Sequence, residues 1–194
     1  MPLTKELTKF STTSPILASY DWTELASGEG YEIFYPFYAN PSHGISSNVI
    51  YGPWGSGLSS GGGQTFTFNS VAFNAPRTIK GLAIASCPWI KTDANSKTVT
   101  VTIKKVSDDI TTLASITLNS ITGNDTWGIA AGSATITETI MAVGDILRVE
   151  IVVPSAVSIS FDPVDRAWLE WGGSANINNS YGATRIMIPF KIKE

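Results

Sequence analysis

Gly57-Leu58-Ser59-Ser60-Gly61 carries the letters of a nucleophile elbow, in which a serine is strained outward on a sharp turn from strand to helix. That chemistry needs a helix behind the serine and a positioned base beside it. Here Gly61-Gly62-Gly63 and then Phe-rich, strand-like sequence follow, and the single His43 has nothing to position it. One His and one Cys cannot assemble a transition-metal site within the chain, although symmetry copies of His43 could meet on an axis. Asp162-Pro163-Val164-Asp165-Arg166 and Asp108-Asp109 offer carboxylate oxygens, yet neither is a dense acidic calcium loop. Both read as turns, the first with local Asp–Arg pairing. No carboxylate pair is marked out for glycoside cleavage, and the glycine run lacks the Gly-Lys-Ser/Thr ending of a phosphate loop. The sequence therefore predicts no enzyme, no catalytic residue, no cofactor and no metal.

The aromatic residues say more. Six tryptophans (Trp22, Trp54, Trp89, Trp127, Trp168 and Trp171) fall mostly at turns or strand ends instead of alternating inward slots. Most such residues anchor loops and core edges. The sharper alternatives are a sugar-stacking platform or a subunit interface, where tryptophan is enriched among the energetically dominant residues. Trp54, amid glycines, and Trp168 and Trp171, flanking Glu170, are the interface candidates. Leu3, Leu7 and Phe10 join them: their i, i+4, i+7 spacing makes one apolar face of a short helix. Residues 1–19 thus read as a Ser/Thr-rich arm ahead of a single domain over 20–194.

Composition narrows the class of partner. Charged residues make up 15% of the 194, well below the roughly 25% usual in globular domains. Ser, Thr, Asn and Gly supply the polarity instead, which suits extended structure and surfaces buried against neighbours, where ionised groups are costly to desolvate. A net charge of −3 lacks the basic stripe that nucleic acid requires. Nothing approaches the roughly 20 apolar residues of a membrane-spanning helix. Met1-Pro2-Leu3-Thr4-Lys5-Glu6 has no basic start and apolar run of a signal peptide, so the expected compartment is a cytoplasm. Cys87, ending the apolar run of Leu82 and Ile84, reads as a buried, inert thiol.

The elements that would position these residues are strands. In Val143 to Val153 a Gly-Asp turn opens a run whose Leu147, Val149, Ile151 and Val153 point one way and Arg148 and Glu150 the other. That two-residue period is a half-buried antiparallel strand, taken here as central. Tyr31, Ile33, Tyr35 and Phe37 alternate, with Pro36 arguing for an edge or bulge. Ile45 to Tyr51 is a short strand inside an irregular stretch over 40–63. Phe66 and Phe68 alternate and Val71 and Phe73 resume out of phase, which places a bulge at Asn69-Ser70. Ile79–Ala85, Thr98–Ile103, Leu113–Leu118, Ala134–Ile140, Val157–Phe161 and Arg185–Ile192 complete the set, Pro189 suggesting a sheet edge for the last. About ten short strands without a long helix predict an all-β fold, an antiparallel β-sandwich of jelly-roll type.

Two segments resemble a known class. Tyr20-Asp21-Trp22-Thr23-Glu24-Leu25-Ala26-Ser27-Gly28-Glu29-Gly30-Tyr31, continuing to Phe34-Tyr35, resembles the opening of structural β-sandwich proteins of phage virions. Met141 to Glu150 looks like the Gly-Asp-led strand of jelly-roll modules in trimeric decoration, fibre and spike proteins. The resemblance covers about a fifth of the chain and brings no catalytic residue. It implies a virion subunit of the capsid-decorating or head-fibre type, assembled in a host cytoplasm, partnered by other virion proteins and by copies of itself, a trimer by preference. The alternative is a carbohydrate- or receptor-binding β-sandwich module.

Overall fold

The computed structural model describes residues 29–39, 42–46, 58–59, 63–124, 126–159, 161 and 184–191. Eleven strands and no helix occur among them. In chain order they are β1 (Glu29–Ala39), β2 (Ser42–Ser46), β3 (Leu58–Ser59), β4 (Gln64–Asn69), β5 (Arg77–Lys91), β6 (Thr100–Val106), β7 (Ile110–Thr117), β8 (Thr126–Met141), β9 (Ile146–Val153), β10 (Val157–Ile159) and β11 (Arg185–Lys191). Seven strands form one sheet and four the other, in the order β4-β9-β6-β7, and every pairing is antiparallel. This is the predicted antiparallel β-sandwich.

The four-stranded sheet follows its sequence pattern closely. β9 lies between β4 and β6, and Leu147, Val149, Ile151 and Val153 are buried. Register lines up Phe66, Ile151, Val101 and Ile116 in one inward row, and Phe68, Val149, Ile103 and Ala114 in the next. Phe66 and Phe68 close on Phe161, with ring centroids 5.6 and 5.0 Å away. Burying each such side chain contributes about 1.5–3 kcal/mol. The turn into β9 uses Gly144 in the left-handed region (φ 91°), which a side chain would strain. Asp145 closes the same turn, its Oδ2 accepting from the Ala142 N–H at 2.6 Å.

The seven-stranded sheet is built around β5. β8 runs along one side of β5 from end to end, while β11 and then β10 occupy the other. β1 pairs β11 through residues 29–34 and hands over to β2 for 35–39. Pro36 sits just beyond that hand-over, where the β11 ladder has stopped, so its missing N–H breaks no bond to β11.

Tyr31 and Ile33 of the alternating β1 set face outward, and Phe34, in the opposite phase, enters the core. Two sequence expectations are corrected. No bulge interrupts a strand at Asn69-Ser70: β4 ends at Asn69 and Val71 is exposed, while Phe73 returns as a loop anchor whose N–H donates to Asp145 O at 2.9 Å. Pro189 does not mark an edge. β11 is flanked by β1 and β5, and Pro189 lies where the β11–β5 register breaks between Met187 and Phe190, a break that absorbs the lost donor.

Candidate interaction surface

Strands in the seven-stranded sheet are apolar in both phases. On β5, Ile79, Ala83, Ala85 and Cys87 point into the sandwich, which sends Lys80, Leu82, Ile84, Ser86 and Pro88 to the outer face. On β1 the outer residues are Tyr31 and Ile33, and on β11 Arg185, Met187, Pro189 and Lys191. Antiparallel register then sets Ile33, Met187, Ile84 and Ser133 side by side across four strands. Tyr31 opposite Pro189, and Leu82 opposite Thr135, lie on the same side of that row, towards Lys80 and Lys191, and Ile129 stands opposite Pro88 on its other side, towards the far end of β5.

Several of these side chains are open, while Pro88 and Pro189 of the same phase are buried. Leu82 is 44% exposed, Ile129 60%, Tyr31 38% and Ile33 36%, with Ile84 and Met187 half-buried between them. Scattered exposed apolar residues are ordinary, but a contiguous apolar patch on a sheet face marks an interaction site. Charges stand at its ends. Glu138 bridges Lys80 at 3.1 Å and Lys191 at 2.9 Å at one end, and Arg185 is exposed towards the other. The hydrogen bond from Lys191, then that from Lys80, hold the Glu138 carboxyl below its ordinary range. An apolar centre with a charged rim is the usual anatomy of a protein interface.

The other ionisable groups with perturbed behaviour have structural work. Burial pushes the Cys87 thiol up to about 12 against a weaker opposing contact with Thr184, which keeps it in the inert, protonated form. Lys91 is fully buried at the end of β5. Its ammonium donates to the carbonyls of Asp93 and Gly123 and lies 3.0 Å from Asp93 Oδ1. That carboxylate contact is an ion contact and not an aligned hydrogen bond, and Lys97 takes the other oxygen at 3.0 Å. Arg77 pairs Glu32 at 3.0 Å and lies over the Phe190 ring at the mouth of the sandwich, where burial raises the Glu32 carboxyl more than Arg77 lowers it. No group of three His, Cys, Asp or Glu side chains suited to a metal occurs among the described residues.

The sequence candidates Leu3, Leu7, Phe10, Trp54, Trp168 and Trp171 all lie outside the described residues, as does the Asp162–Arg166 turn. Leu58–Ser59 of the elbow-like motif forms β3, a two-residue strand paired with β10. Trp89 is the one tryptophan whose side chain is described, and it is a core-edge residue: its ring packs over Gly128, where a Cβ would meet it at 3.0 Å. Sequence reasoning missed Ile33, Leu82, Ile84, Ile129 and Met187. The available signal was the double-phase apolar run of Ile79 to Ala85, which belongs to a strand covered on both faces.

No protein-family model matches the sequence, and no curated protein does. Among solved structures, the chain is similar to a CocE/NonD family hydrolase from Staphylococcus aureus, at TM-score 0.43 and 11% identity over 81% of this chain. A second crystal structure of that hydrolase gives 0.41 and 11% over 80%. This chain spans about a third of the hydrolase's length, 34% in both cases. CsCBM6-3 from Clostridium stercorarium, solved in complex with cellobiose, gives TM-score 0.30 and 19% identity over 63% of this chain and 75% of that one. Likenesses this distant carry no activity or ligand over to this chain.

Proposed function

We propose that the protein is a non-enzymatic assembly subunit that docks on a neighbouring protein through the outer face of its seven-stranded sheet. The observation that carries this reading is the open apolar row of Ile33, Met187 and Ile84, flanked by Tyr31, Leu82 and Ile129 and rimmed by Lys80, Glu138 and Lys191. Water meets this surface in the isolated chain, and a matching protein surface would release it at about 25 cal/mol per Å² of apolar area. In keeping with the resemblance of residues 20–35 and 141–150, the assembly is a virion, and the subunit is of the capsid-decorating or head-fibre type. The low charge content suits a surface that spends its working life covered.

Leu82→Lys and Ile33→Lys test it. Both positions are more than a third exposed, so the variants fold with an unchanged melting midpoint, while association with particles or with other copies falls. Sedimentation of the pure protein and co-sedimentation with particles supply the readings. Unchanged association in both variants would remove the face from any docking role. Saturable binding of an oligosaccharide, abolished by Tyr31→Ala, would replace the assembly reading with the glycan-binding one.

A further inference from the structure

We infer that the loops after β5 and β7 form a binding site for a monovalent cation of the ammonium class, which this chain fills from within by the Lys91 side chain. The inference is independent of the outer sheet face. On β5, Lys91 falls in the inward phase of Ala83, Ala85 and Cys87, so its stem runs inside the sandwich and its side chain is fully buried. The ammonium emerges between two loops. It donates to Asp93 O in the loop between β5 and β6, and to Gly123 O in the loop between β7 and β8. Asp93 Oδ1 completes the cage at 3.0 Å. That oxygen is sealed from solvent and accepts no hydrogen bond among the described residues, so the positive charge beside it is what makes its burial tolerable.

The two loops are joined without the help of that charge. Lys97 N–H donates to Ile121 O at 2.9 Å and Ile121 N–H to Lys97 O at 2.8 Å, which fixes one loop against the other. Ser96 Oγ and Ser120 Oγ pair beside them. The cage oxygens are therefore held together by bonds that do not involve Lys91, and they stay aimed at one point when the lysine is removed. Backbone carbonyls and a carboxylate converging on one charge are the ligands of a hard cation. Their number and charge choose its class. Three oxygens fall short of the roughly six to eight that calcium takes at about 2.3–2.6 Å. The carboxylate is also shared, since Lys97 holds its other oxygen at 3.0 Å, so a second charge on the guest would go unbalanced. An ammonium brings one charge and directs its donors to separate oxygens.

The test removes the tether and returns the cation. Lys91→Ala deletes the outer stem and the nitrogen, which together are the skeleton of n-propylammonium. Melting midpoints of the native chain and of Lys91→Ala are read in chloride salts of ammonium, n-propylammonium, tetramethylammonium and calcium at matched ionic strength. The midpoint of the variant is expected to rise saturably with ammonium, and at lower concentration with n-propylammonium, which also fills the space of the stem. Tetramethylammonium has no N–H and gives no rise, and the native chain responds to none of the salts because its site is filled. Asp93→Asn, added to Lys91→Ala, abolishes the rise. A rise as large with tetramethylammonium, or an equal rise in the native chain, is a general salt effect and overturns the site, as does a variant whose midpoint no cation moves. A rise with calcium alone overturns the monovalent class. Should Lys91→Ala fail to fold, the native chain decides, through nitrogen-15 spectra of its lysine ammonium groups. Lys91 is expected to give a signal protected from exchange with water, while that of Lys80, about half exposed, is lost to exchange. A Lys91 ammonium that exchanges as fast as that of Lys80 overturns the cage.

Discussion

Lys91 is the residue whose environment is hardest to replace. Its side chain is fully buried, and its ammonium satisfies two backbone carbonyls while facing the Asp93 carboxylate at 3.0 Å. A charge in that position is tolerated only because it is paired and hydrogen-bonded, and truncating one partner strands the rest. Lys91→Ala leaves two carbonyls and a carboxylate facing a cavity at the point where β5 meets β8 and β10. The expected loss is about 3–5 kcal/mol. Urea denaturation measures it, and a loss below 1 kcal/mol would mean that water reaches the ammonium. Nothing in the sequence distinguishes this lysine from Lys104 or Lys105, which lie on the sandwich surface in pairs with Glu150 and Asp145. All three are lysines within strands of largely apolar sequence. Only the third dimension, which brings Asp93 and Gly123 over one of them, separates them.

At the scale of elements, legibility followed wetness. β6 and β9 each have one wet face, so Val99, Val101 and Ile103, and Leu147 to Val153, announce their phase by alternation, and the structure places them as read. β1 and β5 are apolar in both phases, so alternation carries no sign and the outer face stayed hidden. β8 adds a different obstacle. Ala130 and Ile136 are buried in one phase, yet Met141 is buried and Ile140 exposed in the other, because the register slips against β5 between Ile79 and Gly81. A slip among Thr137, Glu138 and Thr139 leaves no mark in the sequence. The candidate site shared this fate, since Ile33, Ile84 and Met187 are remote in sequence and meet only through register. Gly132 on β8 shows how closely the two sheets approach: a Cβ there would stand 2.5 Å from Thr117 O and 3.0 Å from Ile116 Cγ2. Backbone cannot give way as a side chain can, so Gly132→Ala should open the β7–β8 contact at a cost of about 1–3 kcal/mol. Gly128→Ala, which meets only the Trp89 ring, should cost less. Equal melting midpoints for the two variants would contradict the close approach.

Over the whole molecule, the charges act as ties between elements that the core alone does not fix. Lys105 of β6 pairs Asp145 at 2.9 Å and donates to Ile140 O of β8 at 2.9 Å, joining the small sheet to the large one. Glu138 joins β8 to β5 and β11, and Asp93 holds the end of β5 through Lys97 and Lys91. In each case lysine lowers the carboxyl: Lys105 chiefly for Asp145, aided by the Ala142 N–H and against burial, and Lys97 ahead of Lys91 for Asp93. The sign follows from linkage. A carboxyl lowered in the folded state contributes stability that is present above its unfolded value and is lost as the pH falls through the folded one. Glu32 runs the other way: raised by burial, it contributes below its unfolded value and loses that contribution as the pH rises through the folded one. Three lowered groups against one raised group predict a melting midpoint that falls as the pH drops below about 4. Asp145→Asn isolates one of the three. At neutral pH it lowers the midpoint, because Lys105 loses its partner, and it makes the acid-side decline shallower by one proton's worth of slope. Glu138→Gln should change both less, since that carboxylate is about half exposed and its pairs are screened by solvent. An acid limb in Asp145→Asn that parallels the unmodified protein would show that the β8–β9 turn takes no part in holding the sheets together.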